Sequence, residues 1–73
     1  MIDLYSKEDC IGCLATKTVL EARGVAYNEL DITEPGNLAK VRAWGYQQAP
    51  VVDTGVETWS GFQLEKLEKL NSN

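Results

Sequence analysis

At 73 residues the chain has room for one domain, residues 1–73, because dividing it would leave neither half a core of its own. Its apolar share of 44% and charged share of 25% are those of an ordinary globular protein and exclude a disordered chain. The net charge of −4 argues against nucleic acid or an anionic membrane as partner, and no apolar run approaches the length of a transmembrane helix.

Met1 to Tyr5 alternates Ile2 and Leu4 with polar neighbours and reads as a strand leading into a polar loop. From Ile11 the pattern turns helical: Ile11, Ala15, Thr18, Val19 and Ala22 form one stripe, with Gly24 as the stop. Val25 to Ile32 fits a second strand. Thr33 is placed to cap a helix with Pro35 in its first turn, Leu38 and Val41 facing inward, and Gly45 closing it. Val51-Val52 and Val56 to Trp59 are short β runs around Asp53-Thr54-Gly55, a hairpin signal. Ser60 then starts a last helix, with Gln63 completing a capping box and Leu64, Leu67 and Leu70 as its buried stripe. No internal repeat, low-complexity segment or linker interrupts this order.

The order β-α-β-α-β-β-α predicts a right-handed crossover between two parallel strands and an added antiparallel hairpin. The fold class is therefore α/β: a mixed four-stranded sheet flanked by three helices, the minimal thioredoxin/glutaredoxin fold. Strand order does not follow from the pattern.

Cys10-Ile11-Gly12-Cys13 falls between the first strand and the first helix. The start of the chain lacks the basic region and apolar stretch of a secretion signal, so the expected compartment is the cytoplasm. A close cysteine pair in a reducing compartment points to catalysis or metal binding rather than to a permanent bridge. The loop such a bridge closes is also too small to stabilise the fold much. A C-x-x-C pair at a helix start opens and closes without backbone strain, and the helix terminus favours a thiolate on Cys10. Cys13, one turn further in, suits the resolving role. Gly12 keeps the surface beside the sulfur low, and the absence of His excludes any Cys–His pair. Lys7 favours the Cys10 thiolate, while Glu8 and Asp9 oppose it unless one of them caps the helix. Two other readings stand: buried packing cysteines, and a metal shared between two monomers, since one chain supplies only two thiols. No metal is expected in the monomer.

Tyr5-Ser6-Lys7, the cysteine motif, Ala15-Thr16-Lys17, Gly45-Tyr46, Gln48-Ala49-Pro50-Val51-Val52 and Trp59-Ser60-Gly61-Phe62 together resemble the NrdH-redoxins, glutaredoxin-like proteins with thioredoxin-like behaviour. The resemblance runs from Met1 to about Leu70. It implies a cis Pro50 beside the cysteines, with the Ala49 backbone exposed to pair with an extended partner segment. It also implies a monomeric electron-carrying redoxin with protein-disulfide reductase activity, Cys10 as nucleophile and Cys13 as resolving thiol. The implied partner-binding residues are Lys7, Ile11, Gly12, Ala49, Pro50, Trp59, Ser60, Gly61 and Phe62. The implied reductant is thioredoxin reductase, with NADPH acting only through it and no cofactor held by this chain. The implied acceptor is the large subunit of class Ib ribonucleotide reductase.

The chain departs from the family's pattern at Ile11-Gly12, where Val-Gln is common, at Glu8-Asp9, and at Gln63-Leu64, where Arg-Pro often follows the aromatic motif. A glutathione-coupled glutaredoxin is the alternative. Its usual Cys-Pro-Tyr-Cys, Thr-Val-Pro and Gly-Gly-x-Asp anchors are replaced here, although Lys7 is kept. Trp59 and Phe62 are expected to close the core and meet a partner in part, and Trp44 to be half exposed.

Overall fold

The computed structural model describes residues Met1 to Leu70. Seven elements follow in the expected order: β1 (Ile2–Ser6), α1 (Ile11–Ala22), β2 (Tyr27–Asp31), α2 (Pro35–Ala43), β3 (Val51–Asp53), β4 (Thr58–Ser60) and α3 (Leu64–Glu68). They build a sheet of order β2-β1-β3-β4 in which β1 runs parallel to β2 and antiparallel to β3, with β4 antiparallel to β3. This is the mixed four-stranded sheet with three helices expected of a thioredoxin/glutaredoxin fold.

Register divides the core in two. Leu4 lies opposite Val52 and Val52 opposite Trp59, while Tyr5 lies opposite Val51 and Val51 opposite Ser60. Successive strand residues point to opposite faces. Ile2, Leu4, Val52 and Trp59 therefore pack with Leu20 of α1 and Leu67 of α3 on one face. Tyr5 and Val51 pack with Ile32 and Val41 of α2 on the other. Trp44 is half-buried as expected, edge-on to Tyr5 with ring centroids 5.9 Å apart.

Several local expectations are corrected. The buried face of α1 is Cys13, Thr16 and Leu20, not the stripe beginning at Ile11, which is 87% exposed. This rotation seats Leu20 in the core under the sheet, and Thr16 satisfies its hydroxyl on the Gly12 carbonyl at 2.8 Å. Thr33 does not cap α2. Its hydroxyl and its N–H both bond to Asp31 Oδ1, and Glu34 takes the cap position without a side-chain bond. Strand β2 is shorter than Val25 to Ile32, because Val25 is held by its N–H on the Leu20 carbonyl and turns into the core. The hairpin loop runs from Thr54 to Glu57, closed by Thr54 N–H to Glu57 O at 3.0 Å, so β4 starts at Thr58 and Val56 is exposed.

Ser60 does not start the last helix. It pairs with Val51 as the final residue of β4, and α3 begins only at Leu64, with Gln63 at its N-cap. Of the expected leucine stripe, Leu67 is buried, Leu70 packs at the core's margin and Leu64 is 45% exposed. Arg23 reaches from the end of α1 to the end of α3, its Nη2 donating to the carbonyls of Glu68 at 2.7 Å and Leu70 at 3.0 Å. These are carbonyls a helix end cannot pair internally, and a cation is favoured there. Arg23→Ala is expected to cost about 1 kcal/mol, read as a fall in melting temperature of roughly 4–8 °C with faster amide exchange in α3. An unchanged melt would show that water replaces the guanidinium.

Candidate functional site: the Cys10–Cys13 disulfide

The site grows from the end of β1. Ser6, the last strand residue, is buried, and the chain leaves it through the exposed Lys7, Glu8 and Asp9. Asp9 adopts φ 55°, a left-handed conformation that Asp tolerates better than most residues and that turns the chain into α1. Cys10 then occupies the N-cap, with extended dihedrals, and its Sγ accepts the Cys13 N–H at 3.2 Å. Neither Glu8 nor Asp9 caps the helix, because the cysteine sulfur holds that place. The helix terminus thus presents an unpaired amide and the positive end of its dipole to the sulfur. Cys13 is buried at 1% exposure and Cys10 is half-buried. The two are joined in a disulfide with Cα atoms 5.2 Å apart.

Across from the disulfide lies the segment before β3. The Ala49–Pro50 peptide is cis, and Pro50 is buried. Three bonds from β4 and the residue after it brace this segment: Ser60 Oγ donates to Gln48 O at 2.9 Å, Gly61 N–H donates to Pro50 O at 2.8 Å, and Tyr46 hydroxyl donates to Thr58 O at 3.0 Å. Among the described residues the Ala49 main chain makes no hydrogen bond. Its N–H and C=O are therefore available to an external strand.

The Glutaredoxin family model matches residues 2–57. The glutaredoxin-like protein NrdH of Escherichia coli strain K12 is 35% identical over 71 residues, 96% of this chain and 88% of that protein. Its counterpart in Lactococcus lactis subsp. cremoris is 37% identical over 71 residues, 96% of this chain and 99% of the relative. The solved structure of NrdH-redoxin from Escherichia coli superposes with a TM-score of 0.87 at 35% identity, covering 96% of this chain and 93% of that one. The chain belongs to the NrdH-redoxin family of glutaredoxin-like proteins. It is a thiol–disulfide redoxin with a Cys10–Cys13 disulfide.

Within this redoxin the structure gathers Cys10, Cys13, Gly12, Pro50 and Phe62 around the first turn of α1. Gly12 is half-buried, and a β-carbon added to it would lie 3.2 Å from Pro50 Cδ and 3.9 Å from Phe62 Cβ. Ile11 stands free of the protein beside them, and Phe62 is 42% exposed. Trp59 goes the other way: its ring is buried at 3% exposure in the core shared with Leu20 and Leu67, under Lys66 Nζ at 5.5 Å. Ser60 and Gly61 act on the cis-proline segment through the bonds above, and Gly61 needs its glycine for a φ of 85°.

Two features of the site were not legible beforehand. Tyr46, Gln48 and Thr58 belong to its bracing, which arises from contacts between distant segments. Leu14 and Leu64, at 63% and 45% exposure, leave apolar surface on α1 and α3, and the leucine at 14 stood outside the expected stripe.

Lys7 lines a cleft of about 600 Å³ on the β2 side, together with Ser6, Glu8, Lys17, Glu29 and Asp31. There Glu29 Oε2 accepts from Lys17 Nζ at 2.9 Å and from Ser6 Oγ at 2.7 Å. The lysine first, then the serine, holds the Glu29 carboxyl below its ordinary value of 4.5. A carboxylate whose folded pKa is lowered adds stability above its unfolded value, and that stability disappears as pH falls through the folded value. Glu29→Gln is therefore expected to melt lower than the parent at about pH 6 and to match it near about pH 2. The difference is small, since the pair is half-exposed. A constant gap at both pH values would show that the amide fails for reasons other than charge.

Proposed function

We propose that this redoxin passes electron pairs in the cytoplasm from thioredoxin reductase to the large subunit of class Ib ribonucleotide reductase. The observation that carries the chemistry is the Cys10 sulfur, half-buried at the N-cap of α1 with an amide N–H directed at it. In the reduced protein that environment stabilises the thiolate. The thiolate attacks one sulfur of the acceptor disulfide, forming a mixed disulfide and releasing the other sulfur as a thiolate, which takes up a proton. Cys13 then loses its proton and attacks Cys10 Sγ, so that the second acceptor sulfur leaves. Two electrons have moved, the acceptor is a dithiol, and the chain is left in the Cys10–Cys13 disulfide state.

The unpaired Ala49 main chain suits an acceptor that approaches as an extended segment and adds as a strand. Lys7, Ile11, Gly12, Pro50 and Phe62 form the ground it lies on, with Ser60 and Gly61 holding the Ala49–Pro50 segment from behind. NADPH supplies the electrons only through the reductase, and the chain itself needs no cofactor and works as a monomer. The family assignment supports this reading, as does the description of the Escherichia coli relative as glutaredoxin-like with a thioredoxin-like activity profile.

The test is a pair of coupled assays. NADPH oxidation with thioredoxin reductase and a class Ib ribonucleotide reductase is expected to depend on this protein. The same readout with glutathione and its reductase is expected to stay near background. Rapid turnover confined to the glutathione system would overturn the proposal in favour of a glutathione-coupled glutaredoxin.

A further inference from the structure

Charge is unevenly spread at the end of the sheet that carries the disulfide. β1 and β2 run parallel with Ser6 opposite Asp31, so the chain leaves both strands at the same end, the one beside Cys10. Glu8 and Asp9 are exposed there in the loop before α1, and Asp31 is exposed at the end of β2. Asp31 is fixed, its Oδ1 accepting from the Thr33 hydroxyl at 2.6 Å and from the Thr33 N–H at 2.8 Å. Glu8 and Asp31 line the cleft of about 600 Å³ together with Lys7 and Lys17. Lys17 does not offset them, because its ammonium is engaged by Glu29 at 2.9 Å. Among the described residues Lys7, Glu8 and Asp9 enter no ion pair. This flank of the site therefore sets three carboxylates, Glu8, Asp9 and Asp31, against the single ammonium of Lys7. On the other flank Ile11, Gly12, Ala49, Pro50 and Phe62 carry no charge.

We infer that Glu8, Asp9 and Asp31 select the acceptor by charge: the site favours a disulfide flanked by a basic residue and disfavours one flanked by carboxylates. The inference deepens the proposed function, since it takes from it Cys10 as the attacking thiol and a polypeptide disulfide as the acceptor. Asp9 and Glu8 are one and two residues from Cys10, so their Cα atoms lie within about 8 Å of its own. That is about one Debye length at physiological salt, so their field reaches a disulfide lined up with the sulfur. Each charge acts weakly through water, but three on one flank sum, and the low-dielectric wall of the cleft focuses them. The uncharged flank has no opposing field, so a basic residue is drawn to the side of the acceptor that faces β2. An anionic disulfide, such as that of glutathione, meets repulsion instead.

The experiment follows oxidation of the reduced protein, with no reductase present, by two small disulfides of opposite charge, cystamine and dithiodipropionate. In each case the Cys10–Cys13 dithiol becomes a disulfide, and its electrons and protons turn one acceptor disulfide into two thiols. The ratio of the two second-order rate constants, cationic over anionic, cancels any change in Cys10 thiolate content between variants. At an ionic strength of about 20 mM it is expected to fall about tenfold in Glu8→Gln/Asp9→Asn and about threefold in Asp31→Asn. Asparagine tolerates the left-handed conformation of Asp9, so the loop variant is expected to fold. At about 0.5 M salt the fall is expected to shrink to about twofold or less. Asp3→Asn/Glu68→Gln removes the same charge near the opposite end of the sheet, and there the ratio is expected to hold within about twofold. An unchanged ratio in Glu8→Gln/Asp9→Asn overturns the inference. So does an equal fall in the remote variant, or a fall that persists in full at high salt. Two disulfide peptides differing only in Lys or Glu beside the cysteine extend the test, the Lys peptide being expected to react about fivefold faster at low salt. Equal rates for the two peptides overturn the inference as well. Failure of the parent protein to reduce either peptide, with the small disulfides behaving as expected, would instead sink the proposed function and leave charge selection at Cys10 standing.

Discussion

Changing Cys13 to Ser is expected to stop the cycle halfway and leave a covalent adduct between Cys10 and an acceptor protein. Resolution of the mixed disulfide depends on a second thiol held next to the first, and the Cα separation of 5.2 Å provides it. Without that thiol, release relies on an external one, and the advantage of an intramolecular attack disappears. Steady-state disulfide reduction is expected to fall at least about 10³-fold, because positioned groups in one molecule act at very high effective concentration. Mass spectrometry of the trapped species is expected to show one acceptor per chain, linked through Cys10. The reciprocal change, Cys10→Ser, is expected to abolish both turnover and trapping, because Cys13 is buried and cannot meet an incoming disulfide. Adducts forming through Cys13 at a comparable rate in that variant would reverse the assigned roles. The trapped protein from cells would also name the acceptor, which connects this result to the coupled assays.

The largest expected effect on stability lies in a short helix rather than at the site. Leu67 is the one buried residue of α3, a five-residue helix whose N-cap position carries no side-chain hydrogen bond. A helix of that length does not persist alone in water, so its docking depends on packing. Leu67 joins Leu20, Trp59 and Val52 in the core on that face of the sheet. Leu67→Ala removes buried methyl groups and leaves a cavity, at a cost of about 2–5 kcal/mol. A domain of this size has a total stability of only roughly 4–11 kcal/mol, so the variant is expected to be partly unfolded at elevated temperature. Urea unfolding is expected to show a lower midpoint with an unchanged slope. A loss below about 1 kcal/mol would mean that α3 repacks or contributes little. Because Phe62 lies just before α3, slower reduction of protein disulfides by the folded fraction is the functional counterpart.

Sequence and structure divided the description of this protein along a physical line. The sequence by itself determined the order of elements, the placement of C-x-x-C between a strand and a helix, and the family, through motifs spread over nearly the whole chain. Each of these is written in short-range patterns: alternation over five residues, a glycine past a helix end, two thiols three positions apart. Where a decision depended on distant segments, the local patterns misled. The stripe from Ile11 to Ala22 is a legitimate helical stripe, yet the helix turned so that Cys13, Thr16 and Leu20 met the sheet. Ser60-x-x-Gln63 matches a capping box, but pairing with Val51 kept Ser60 in β4 and aimed its hydroxyl at Gln48. Trp59 and Phe62 look alike in the sequence, but pairing with Val52 turns Trp59 into the core, whereas Phe62, past the end of β4, stays 42% exposed near Gly12. Gly12 is the sharpest case. In the sequence it is an open space next to a nucleophile, and in the fold the place a β-carbon would take is bounded by Pro50 and Phe62. Only the packing of segments far apart in the chain decides what fills the volume that a missing side chain leaves.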